Sequence, residues 1–187
     1  MRRPIDITDF LTNLADKLED RDPDALVPAY QVFANNKTST SDPMDGVLAA
    51  MGNNPEAALE YLTPEGDGSV DGDGNWVPDD KARQRWEKLT SRDWDCDFTM
   101  PASDKPTAAD GLTSAVAAAS SFRNPGPGED GAVSSDAAQR DAAATYTSGM
   151  GVDYFSGDSW SRDEFTDTMK HNLAVVVANS PEEVAAA

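Results

Sequence analysis

Carboxylates dominate the chemistry this chain could carry, and they are densest between Glu65 and Asp80 in the run Glu-Gly-Asp-Gly-Ser-Val-Asp-Gly-Asp-Gly-Asn-Trp-Val-Pro-Asp-Asp. Hard cations such as calcium take six to eight oxygen ligands, and an EF-hand loop supplies them from positions 1, 3, 5, 7, 9 and 12, with Gly at 6. A register that begins at Ser69 places Asp71 at 3, Asp73 at 5, Gly74 at 6, Asn75 at 7, Trp76 at the apolar position 8 and Asp80 at 12. A register that begins at Asp67 puts Gly74 at 8 and Pro78 at 12 and fails. Ser69 stands where Asp is usual and Asp80 where a bidentate Glu is usual, so the expected affinity is weak. The alternative reading of the same residues is a solvated connector, in which glycine permits tight turns and aspartate keeps the segment wet.

The other reactive side chains are isolated. Gly157-Asp-Ser159-Trp160 has the letters of a serine-hydrolase nucleophile block, but its surroundings are helical and His171 follows Asp167 at the wrong spacing. One cysteine, Cys96, and one histidine, His171, give neither a structural zinc site nor an intramolecular disulfide. Asp93, Asp95 and Asp97 alternate with Trp94 and Cys96. That spacing reads as an exposed acidic edge with Trp94 and Phe98 turned inward. Acid, base and nucleophile therefore do not converge in the sequence, and the expectation is a protein that is not an enzyme and carries no certain cofactor.

Charge narrows the partners. Fifteen Lys and Arg against thirty-four Asp and Glu give a formal charge of −19 over 187 residues. Such a surface repels phosphate backbones and anionic lipid, which argues against nucleic acid as a partner. No apolar run approaches the ~20 residues that cross a bilayer, so membrane insertion is not expected. Met1-Arg-Arg-Pro leads into no apolar segment or cleavage site, which leaves the cytoplasm or secretion without a classical signal peptide. Abundant Ala, Asp and Gly with little Ile and Lys suit a GC-rich bacterial genome.

The elements that would position these residues read as helices throughout. Phe10, Leu11, Leu14 and Leu18 form a stripe over 6–20, with Asp6 or Thr8 as cap. Asp22-Pro23, Asp42-Pro43, Asn54-Pro55 and Ser180-Pro181 repeat one device, a capping side chain before a proline at the first helical position. The second of these opens a helix with Met44, Val47, Leu48 and Met51 that ends at Gly52, and the third one with Ala58, Leu59 and Leu62. Ala82, Trp86 and Leu89 mark the helix after the acidic loop, with Lys81, Arg83, Arg85 and Lys88 covering the rest. An Ala-rich helix spans 107–122 and another 134–148, ended by Gly149-Met-Gly. A last long helix runs from about Arg162 to Ala178, and the turn after Ser180 stops at Ala187, so either the chain continues in a longer protein or that end frays. The expected fold class is all-α: an irregular bundle of about seven to nine short helices with long polar connectors. It forms a single domain over 1–187, with mobile loops at 65–80 and 123–133.

Met51-Gly-Asn-Asn-Pro-Glu-Ala-Ala-Leu-Glu-Tyr-Leu62, Leu89-Thr-Ser-Arg-Asp-Trp94 and the stretch from Met169 to Val184 resemble blocks of an uncharacterised actinobacterial all-helical domain family found in larger secretion-associated or toxin-like proteins. The resemblance covers about 44–187 and departs at the acidic loop, which looks like an insertion, and at the shorter terminal helix. It implies no activity and no catalytic residues. What it implies is a structural or protein-interaction region of a larger bacterial protein, with secretion one of the two locations left open above, whose partners are another protein or further domains of the same chain. A calcium-binding helical module that uses Ser69, Asp71, Asp73, Asn75 and Asp80 is the alternative.

Overall fold

Seven helices and one small hairpin follow one another in the computed structural model, which describes residues 6–21, 42–64, 66, 68–92, 94, 109–128, 132–157, 160 and 164–180. The helices are α1 (Ile7–Glu19), α2 (Pro43–Met51), α3 (Pro55–Leu62), α4 (Asp80–Ser91), α5 (Ala109–Ser120), α6 (Ser135–Ser156) and α7 (Asp167–Asn179). Between α3 and α4 lie the strands β1 (Gly68–Val70) and β2 (Trp76–Pro78). The chain is all-α apart from that ribbon.

Local chemistry sets the helix starts. Asp6 accepts from the N–H of Thr8, Asp42 from that of Met44 and Asn54 from that of Ala57, so each satisfies a donor that has no partner inside its helix. Pro43 and Pro55 occupy first-turn positions where an N–H would be idle anyway. With nine and eight residues, α2 and α3 are too short to persist alone in water. Burial supplies the difference: Met44, Leu48, Met51, Tyr61 and Leu62 are fully enclosed.

α5 is the centre of the bundle and packs on α2, α3, α6 and α7. Nearly every residue from Ala109 to Ser120 is buried, as expected of a helix whose faces all meet protein. Its small side chains let neighbours approach closely. Gly151 of α6 lies against Val116, where an added Cβ would sit 2.8 Å from Cγ1. One apolar cluster draws on all seven helices and on Trp76.

Ion pairs join the first helix to the fourth. Arg85, 3% exposed, donates to Glu19 at 2.8 Å, to Asp16 and to the carbonyl of Tyr61 at 2.6 Å, with its guanidinium 4.3 Å from the Tyr61 ring centre. The Tyr61 hydroxyl donates to the same Glu19 carboxylate at 3.1 Å. Burial first, and the Glu19 charge second, push that phenol well above its ordinary range. Arg92 and Asp42 form a second pair, with both side chains almost wholly enclosed.

Several sequence expectations need correction. α6 does not end at Gly149-Met-Gly but continues to Ser156, because Gly149 has open space around it and Gly151 makes the close contact with Val116. α7 begins at Asp167 with Thr166 as its cap, and Phe165 instead joins a ring cluster with Phe155 and Trp160. The expected helix after Asp22-Pro23, the Asp93, Asp95 and Asp97 edge, Cys96, Ser159 and the turn after Ser180 lie outside the described residues. Trp94 is turned inward and donates to the carbonyl of Leu89.

Candidate functional site

The acidic stretch folds as an antiparallel hairpin, with Gly68 paired to Pro78, Ser69 to Val77 and Val70 to Trp76. Alternation along β2 buries Trp76 and exposes Val77, as a strand with one covered face requires. Gly72, Asp73 and Gly74 make the turn. Gly74 adopts φ of 88° and donates to the carbonyl of Asp71 at 3.2 Å, while the N–H of Asp71 donates to Asn75 at 2.9 Å. This is a three-residue hairpin loop whose last position needs the left-handed backbone that glycine adopts freely.

Each residue of the expected ion site has a place in this ribbon. Ser69 lies in β1, Asp71, Asp73 and Asn75 in the turn, and Asp80 in the first turn of α4, where it pairs with Arg83. The Asp71 carboxylate accepts the N–H groups of Asn75 and Asp73, both at 2.9 Å. Those bonds, the one from Asn75 foremost, hold its carboxyl below the usual range. From Asn75 to Asp80 the chain advances by roughly 3.3 Å per residue where extended, which carries Asp80 away from the turn. Among the described residues no three His, Cys, Asp or Glu side chains come together where they could hold a metal ion. His171 is exposed on α7.

Where the hairpin leans on the bundle, it closes one side of a cleft of about 200 Å³ between α3 and the first half of α6. Trp76 forms its floor. The indole lies over Gly68, whose added Cβ would come within 2.3 Å of the ring, and is backed by Tyr146 of α6 with ring centres 4.8 Å apart. Trp86 of α4 meets the far side of Tyr146 edge-on at 6.5 Å. The floor is thus fixed by three elements.

Leu59, Pro64 and Ala143 give the cleft an apolar wall, and Glu56, Glu60, Asp136, Gln139 and Arg140 its polar rim. Arg140 grips both oxygens of Glu56 at 2.8 Å each, reaches Asp136 at 3.2 Å and stacks on Phe122 at 5.2 Å. A planar guanidinium suits such two-pronged pairing. Glu56 and Asp136 pair with Arg140 and Glu60 also lines the cleft, so its lining residues carry a formal negative charge like the whole chain.

The sequence places Trp76 at an apolar loop position but does not show the cleft, because Glu56, Trp76 and Arg140 come from three separated segments. Arg85 is grouped with Lys81, Arg83 and Lys88, apart from the apolar stripe of Ala82, Trp86 and Leu89. The signal for Arg85 was its position: residues 82, 85, 86 and 89 share one helical stripe, and Asp16 and Glu19 stand one turn apart on α1.

The arrangement defines a small all-helical domain with a hairpin-bordered, acid-rimmed cleft. Over residues 8–187 the chain matches DUF6571, a family of unknown function, and it belongs to that family. No curated protein and no solved structure matches it.

Proposed function

We propose that the domain is a non-catalytic recognition module of a larger bacterial protein and that its cleft receives a basic segment of a protein partner. The cleft carries the reading: an indole floor held from behind by Tyr146, an apolar wall at Leu59 and Pro64, and a net acidic rim at Glu56, Glu60 and Asp136. Apolar walls with a few placed polar groups are what small side-chain pockets use for orientation. An Arg or Lys side chain of the partner would lay its methylene stem along Leu59 and Pro64 and its charge at the rim. A chain of charge −19 would also draw a basic partner in from a distance, an effect that salt weakens. The resemblance to domains of larger, secretion-associated proteins fits a module of this kind.

Calorimetric titration with Arg- and Lys-containing decapeptides, against Ser- and Glu-substituted controls, tests the proposal. Saturable binding of the basic peptides that weakens with salt and drops at least tenfold in Glu60→Gln/Asp136→Asn supports it. Equal affinity for basic and acidic peptides, or no binding at low salt, overturns it.

A further inference from the structure

Arg140 follows Asp136 by one helical turn on α6, the spacing at which an acid and a base form an ordinary surface pair. Its guanidinium goes further. Nη1 and Nη2 donate to the two oxygens of Glu56 on α3 at 2.8 Å each, while Nε reaches Asp136 at 3.2 Å and Cζ lies 5.2 Å from the centre of the Phe122 ring. Glu56, Asp136 and Arg140 all line the cleft, so this bridge runs from one helical wall to the other.

The free cleft thus already holds a group of the kind assigned to its partner. A carboxylate edge meets one planar guanidinium at a time in this two-pronged fashion, and a second beside it would set two cations together. The bridge is also breakable, because Glu56 is 50% exposed and Arg140 36%, and pairs so open to solvent are weak. The walls beneath do not depend on it, since Leu59, Trp76 and Ala143 are buried in the apolar cluster.

We propose that Arg140 is a built-in competitor for the cleft: it occupies Glu56 in the free domain and gives way to an arginine of the partner, which takes both Glu56 oxygens in its place. The exchange rests on the cleft being a recognition site and narrows the partner's basic residue to arginine. A guanidinium restores the fork it displaces, whereas the ammonium of lysine is a point charge with no matched second prong. Displaced, Arg140 keeps Asp136 one turn back and Phe122 beneath it. The competitor lowers the apparent affinity in proportion to the fraction of molecules in which Glu56 is open, a factor of roughly two to six for an exposed pair. Weakly held cations are thereby kept out of the rim.

Calorimetric titration of the full chain and of Arg140→Lys with the Arg-containing and Lys-containing decapeptides at low salt tests the exchange. Arg140→Lys keeps the formal charge and removes the fork, so long-range attraction is the same in both proteins. The Arg peptide is expected to bind Arg140→Lys about threefold more tightly than the parent, and to bind both proteins more tightly than the Lys peptide does. Unchanged or weaker binding in Arg140→Lys, or equal affinity for the two peptides, overturns the exchange, while binding by the parent leaves the cleft a recognition site. Absence of binding to either protein overturns both. Guanidinium nitrogen NMR of the parent decides the matter should the variant fail to fold. Hindered rotation of the Arg140 guanidinium that is released on saturation with the Arg peptide supports the exchange, and rotation that stays hindered overturns it.

Discussion

Removing the Arg85 side chain should do more damage than removing any exposed charge in the chain. The guanidinium is 3% exposed and bonds Glu19, Asp16 and the Tyr61 carbonyl, so Arg85→Ala leaves the Glu19 carboxylate, itself only 11% exposed, to the Tyr61 hydroxyl and the half-exposed Lys88, and removes the guanidinium from a buried carbonyl. Breaking one partner out of a buried pair costs ~3–5 kcal/mol, most of it from the charge left behind. At this chain length each kcal/mol lowers the melting temperature by about 2–4 °C, so the expected fall is roughly 6–20 °C. Pairing the change with Glu19→Gln should recover part of the loss, because the buried charge that has lost its guanidinium is gone. A double-mutant cycle followed by chemical denaturation reads the coupling directly. A loss below ~1 kcal/mol in Arg85→Ala, or strict additivity with Glu19→Gln, would refute the view that this pair fastens α1 to α4.

Two glycines on α6 should respond with opposite sign: Gly149→Ala, in open space, should stabilise by ~1 kcal/mol, while Gly151→Leu should destabilise by ~1–3 kcal/mol because Val116 blocks it. Equal effects in denaturant melts would show that Gly151 is not a contact. Millimolar calcium should change neither the melting temperature nor the Trp emission, since the hairpin spends Asp71 on its own turn and Asp80 on Arg83. A saturable shift abolished by Asp73→Ala would show that the ribbon rearranges to gather its carboxylates.

Features governed by neighbours in sequence were the legible ones. Asp6, Asp42 and Asn54 cap the helices their letters suggest, and Ala82, Trp86 and Leu89 are buried as their spacing requires. The hairpin was harder, because Asp71-Gly-Asp-Gly-Asn75 suits both a tight turn and a cation loop. The burial of Trp76 against Tyr146 depends on a helix seventy residues away. Gly149 and Gly151 show the same limit: glycine reads as a terminator when only local conformation is considered, whereas close packing on Val116 is a tertiary reason to keep it inside a helix. The N–H of Gly111 in α5 donates to the Asp45 carboxylate of α2 at 2.7 Å, a contact with no local sign in either segment.

Hydrogen exchange of the full chain with and without a saturating Arg-rich decapeptide tests most directly whether the cleft is a recognition site. Slowed exchange is expected only at the amides of α3, of β1 and β2, and of residues 136–143 of α6, with no change around Gly111. Protection spread evenly over the acidic surface, or centred away from Trp76, would contradict it.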